Sequence, residues 1–128
     1  MTGREELEQV SRRLTDLLRF RSALAPFRAA VDSLGDAAPQ PEERRQLLTL
    51  WRPCQRRLDR LLDSGGDCGA ARLDPLRQAV EDSLRDEVIS MPALVELAAA
   101  FDQAGEALLL RLGEDLRVAV TEMDERPI

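Results

Sequence analysis

Residues 4–34 read REELEQVSRRLTDLLRFRSALAPFRAAVDSL, with apolar side chains at Leu7, Val10, Leu14, Leu17, Phe20, Leu24, Phe27, Val31 and Leu34. Intervals of three and four keep all of them on one side of a 3.6-residue turn, so the stretch is predicted to be one long helix burying a single stripe. Two successive steps of three, Leu14 to Leu17 to Phe20, turn that stripe around the cylinder. Pro26 has no amide to offer the carbonyl four residues before it, and a kink is expected nearby.

The same period continues beyond the turn residues Gly35, Asp36 and Pro39. A second helix is predicted over 42–63, with Leu47, Trp51, Cys54, Leu58 and either Leu61 or Leu62 inside and a kink or short break near Pro53. Ser64-Gly-Gly-Asp-Cys-Gly69 is a connection in which helix does not persist. Asp74-Pro75 reads as an N-cap followed by a proline at the first helical position, opening a third helix over 74–89. Its stripe is Leu73, Leu76, Val80, Leu84 and Val88, with Glu87 at the edge, where an ion pair with Arg13 or Arg111 is expected. A fourth helix is predicted over 92–123, on Leu94, Leu97, Phe101, Ala104, Leu108, Leu112, Leu116, Ala119 and Met123, weakened at Gly113.

Composition agrees with the periodicity. Ala, Glu, Leu and Arg supply 68 of 128 residues, whereas Val, Ile and Thr together supply 13, too few to build a sandwich or barrel. One all-α domain is expected, an up-down four-helix bundle in which the first and fourth helices outreach the second and third.

The chain has no His, Lys, Tyr or Asn. The commonest general base, the commonest metal ligand and the Schiff-base amine are therefore all missing, and no enzyme, metal or cofactor is expected. Two cysteines without a histidine cannot enclose a structural zinc. Cys54 lies on the buried stripe, while Cys68 has the carboxylate of Asp67 beside it, which opposes thiolate formation. The start, Met1-Thr-Gly-Arg-Glu-Glu, lacks an apolar signal core and no run of 18 apolar residues occurs, so a cytoplasmic chain with reduced thiols and no membrane contact is expected. The acidic group Glu81, Asp82, Asp86 and Glu87 is the sole enzymatic candidate, a magnesium-type oxygen set with no facing carboxylates, and reads as a solvated face.

Two surface patterns point to binding. Within Leu108-Leu109-Leu110-Arg111-Leu112, Leu110 projects away from the core stripe, as do Leu109, Val95 and Val118 in part, making the last helix apolar on more than one face. Such a face suits a second copy of the chain or another protein. The second pattern is charge: residues 1–60 hold 12 arginines against 9 acids, and residues 61–128 hold 6 against 15. Arg45, Arg52, Arg56 and Arg60 share a sector of about 80° opposite the buried stripe of the second helix. They could steer a protein partner or track a nucleic-acid backbone, although a net charge of −6 opposes the latter. The chain resembles small bacterial helical adaptors and chaperone-like subunits only in this general build, and no motif carries a residue's role over. The expectation is a non-enzymatic interaction or adaptor module, self-associating through its last helix. A nucleic-acid accessory subunit is the alternative, and a carboxylate metal enzyme comes third; no small-molecule substrate is expected.

Overall fold

A computed structural model describes residues 3–63 and 70–125. It contains α1 (Gly3–Leu34), α2 (Pro41–Asp63), α3 (Leu73–Arg85) and α4 (Met91–Glu125), with one 3₁₀ turn, Ala70–Arg72, leading into α3. No strand occurs among the described residues. Gly35 leaves α1 with φ of 70°, a conformation that a Cβ disfavours, and so ends the helix. Pro41 opens α2, where the Glu43 carboxylate accepts the Gln40 backbone N–H at 2.8 Å, closing half of a capping box.

The helices alternate in direction. The Cys54 thiol of α2 meets the Ala23 carbonyl of α1 and the Trp51 ring meets Phe27, so residue numbers rise along one helix as they fall along the other. Arg77 of α3 pairs with Asp59 of α2, whereas Arg44, near the start of α2, reaches the far end of α3. Arg28 of α1 pairs with Asp102 of α4, and the stem of Arg21 lies beside Gly105. Thus α1 packs along both α2 and α4, and α3 packs chiefly on α4. The result is the expected all-α four-helix bundle.

The core forms where the predicted stripes converge. Leu17, Phe20, Leu24, Phe27 and Val31 of α1 are buried with Leu47, Trp51, Cys54, Leu58 and Leu61 of α2, and with Leu94, Phe101, Leu108 and Leu112 of α4. All four aromatic residues of the chain touch in series. Phe20 meets Phe101 edge-on at 5.6 Å between centroids, Phe101 meets Trp51 at 5.9 Å, and Trp51 meets Phe27 at 5.2 Å. Such tilted pairs add about 0.5 to 1.5 kcal/mol each beyond the area they bury.

Both internal prolines are tolerated: α1 runs unbroken through Pro26 and α2 through Pro53. Each proline is exposed, so the carbonyl deprived of an amide lies on the wet side of its helix. The expected break in α2 is therefore absent, and α1 does not fold back on itself. Gly113 likewise leaves α4 continuous.

The third helix departs from expectation at both ends. Asp74 is not its cap: the 3₁₀ turn feeds directly into Leu73, Arg72 is already right-handed, and Asp74 pairs instead with Arg77 one turn on. At the other end the helix stops at Arg85, because Asp86 is extended with ψ of 146°. Arg44 takes the place of further helix by donating to the Leu84 and Glu87 carbonyls, both at 3.0 Å. The chain then bends, leaving Val88 73% exposed while Ile89 and Met91 enter the core in its stead. Glu87, expected at the edge of a helical stripe against Arg13 or Arg111, is exposed on this bend.

Two substitutions test this packing. Gly113 has open space around it, so Gly113→Ala should raise the unfolding free energy by about 0.5 to 1 kcal/mol in urea titration. The Trp51 indole N–H is buried with no acceptor among the described residues. Trp51→Phe should therefore cost less than about 1.5 kcal/mol in the same assay, because it removes that orphan donor along with some volume, against about 3 to 5 kcal/mol for Trp51→Ala.

Candidate functional site

Helix length decides what the bundle leaves uncovered. At about 1.5 Å per residue, the 32 residues of α1 and the 35 of α4 span about 48 and 52 Å, against about 35 Å for the 23 residues of α2 and 20 Å for the 13 of α3. The start of α1 and the end of α4 therefore run on as a two-helix arm beyond their shorter neighbours. A pair of helices can fully bury only the stripe between them. On that stripe Val10 and Ala119 are buried, Leu7, Leu14 and Leu116 are half-buried and Met123 is exposed, while Val118 and Val120, to either side of Ala119, are also exposed.

The four apolar residues singled out on the last helix separate into two pairs. Val95 and Leu109 are half-buried and pack against the core of their own chain, so they are not part of a free face. The 100° step from Leu109 to Leu110 takes the side chain from that seam to the outside of the bundle. Leu110 is 71% exposed and Val118 is 43% exposed. Each has acids a turn away, Glu106 and Glu114 around Leu110, Glu114 and Glu122 around Val118. Glu114 is held below its ordinary pKa by the hydrogen bond and charge of Arg117, which donates to it from the next turn. The outer side of α4 is thus apolar points within an acidic field.

The opposite sign gathers between α1 and α2. Three adjoining hollows, of about 450 to 490 Å³ each, line the seam of these helices. Arg12 and Arg19 reach them from α1, and Arg56, Arg57 and Arg60 from α2. Of the predicted stripe, Arg56 and Arg60 join this groove, whereas Arg45 and Arg52 are exposed elsewhere on α2. Arg12, Arg19 and Arg57 escape a wheel drawn for a single helix. The spacing of seven between Arg12 and Arg19, two turns on one side of α1, was the available signal. Asp16 is the acid that lines the groove with them. None of the five arginines has an ion pair among the described residues.

The acidic candidate does not converge. Glu81 is half-buried on α3, Asp82 is exposed and accepts from Gln78 at 3.1 Å, and Asp86 and Glu87 follow the end of the helix. Among the described residues no three acids or thiols are grouped to hold a metal ion, and no helix is long and apolar enough to cross a membrane. Cys68 lies outside the described residues. Cys54 is buried, donates its S–H to the Ala23 carbonyl at 3.2 Å and to that of Leu50 at 3.4 Å, and has its pKa pushed by burial from 9.0 up to about 12.

No known family model matches this sequence, and neither a curated protein nor a solved structure is detectably similar to it.

The raised thiol pKa has a measurable consequence. Unfolded Cys54 ionises above pH 9 while the folded thiol keeps its proton to about 12, so the folded state binds more protons and stability falls as pH rises through that window. With no Lys or Tyr in the chain, no side chains but the two thiols titrate there. Urea unfolding should lose about 2 to 3 kcal/mol between pH 8 and pH 11, and Cys54→Ala should flatten that loss.

Proposed function

We propose that this chain is a non-enzymatic interaction module, an adaptor that self-associates through the outer end of α4. The supporting observation is the arm. Because α1 is one continuous helix through Pro26, it does not double back to cover α4, and Leu110, Val118, Val120 and Met123 stay in water. Leaving a large aliphatic side chain solvated forgoes about 1.5 to 3 kcal/mol of burial, and an arm-to-arm contact between two copies would recover part of it. Crossing two such arms extends the four-helix packing already used in the bundle.

The acids around Leu110 and Val118 then form the rim, where charge sets which partners are rejected more than how tightly the right one is held. We propose the cytoplasm as the compartment. Nucleic-acid binding draws less support, since every aromatic ring lies in the core and none is left for base stacking.

The test is mass in solution. The 14.3 kDa chain should run at about twice that mass in size-exclusion chromatography with light scattering, and Leu110→Asp/Val118→Asp should return it to the monomer with its helical circular dichroism intact. A wild-type monomer at every concentration would refute self-association, and loss of helix in the variant would show these residues to be core.

A further inference from the structure

We infer that the arginine groove between α1 and α2 is a docking site for a short, acidic, amphipathic segment of another protein. This goes beyond self-association and uses a different face of the molecule.

The groove concentrates positive charge, five arginines against Asp16, the acid that lines it with them. In a chain of net charge −6, with 24 acids available, Arg12, Arg19, Arg56, Arg57 and Arg60 converge on one seam and none is paired among the described residues. Arg57 is half-buried, so its guanidinium has given up part of its hydration without gaining a carboxylate. A ligand carboxylate arriving there meets a charge whose desolvation is partly complete, and guanidinium forks match carboxylate geometry two bonds at a time.

The floor selects among anions. Leu18, Ala23 and Pro53 lie between the arginines, and Leu18 is 47% exposed. An amphipathic segment can set an apolar side chain on Leu18 and Pro53 while its acids reach the arginines on either bank. A nucleic-acid strand has no such pairing to offer, and the groove has no ring on which its bases could stack. Length points the same way. From Arg12 to Ser22 α1 rises about 15 Å, enough for roughly ten residues of a bound helix, and a longer polyanion would run on into the acidic remainder of the surface.

The test is fluorescence anisotropy at low salt with three labelled probes: a peptide of leucines at helical spacing among glutamates, an all-glutamate peptide of equal length, and oligo-dT. The leucine–glutamate peptide should bind most tightly, and added salt should weaken it. Arg56→Glu should lower its affinity about fivefold, while Arg45→Glu, the same charge change on the same helix, should alter it less than about twofold. Binding should persist in Leu110→Asp/Val118→Asp, so failure of self-association and failure of the groove are read separately. Oligo-dT binding as tightly as the peptide, no binding by any probe, or equal effects of the two arginine variants would overturn the inference. So would conversion of wild-type dimers to monomers by Arg56→Glu, which would give the groove to a second copy of the chain.

Discussion

Three helices are held in register by one chain of four rings, Phe20 to Phe101 to Trp51 to Phe27. A bundle built from leucine alone has many near-equivalent ways to slide; tilted ring contacts across α1, α2 and α4 favour one. Those rings are also the whole aromatic endowment of the chain, so fixing the interior removes every stacking surface from the exterior. What remains outside among the described residues is arginine, acid, aliphatic carbon and small polar groups such as Thr15 and Ser22, so binding there runs on charge pairing, hydrogen bonds and apolar contact without ring stacking. Cys54 belongs to the same interior, its thiol bridging α2 to an α1 carbonyl.

Unequal helix length supplies the rest. The aromatic cluster lies where all the helices overlap, and from there α1 and α4 continue past the ends of their neighbours. Length mismatch by itself would give an unstable overhang. The arm persists because Val10 and Ala119 close its seam, but a two-helix seam cannot also cover Val118, Val120 and Met123. The surface thus divides by sign: arginines on the α1–α2 seam, acids around the outer face of α4. That division keeps the two faces from competing for one partner, and their opposite charge steers unlike ligands to each.

Most of the bundle was legible in the sequence because the apolar period is nearly unbroken: the stripes on α1, α2 and α4 are buried along their middle lengths, half-buried toward the arm at Leu7, Leu14 and Leu116, and exposed at Met123. The end of α3 was not. Val88 fits the helical period as well as Leu84 does, but Asp86 is extended, and Arg44, 40 residues away from Leu84 in sequence, takes the Leu84 carbonyl of the last turn and the Glu87 carbonyl just beyond it. A periodicity argument has no view of a cap supplied by another helix. The surface was legible in halves. Leu110 and Val118 project outward as a wheel requires, whereas Val95 and Leu109 lie near the seam angle, where the position of a neighbouring helix decides burial. Similarly, Arg56 and Arg60 could be found on one helix, but the groove exists only because Arg12 and Arg19 of α1 are set beside them.

The central claim is that apolar surface on the arm is covered by a second copy, and hydrogen–deuterium exchange measured across a range of protein concentrations locates that cover directly. Amides in 3–14 and 110–125 should become slower to exchange as concentration rises, while those around Trp51 and Phe101 stay unchanged. Exchange in the arm that is independent of concentration, or protection that grows elsewhere on the molecule instead, would contradict it.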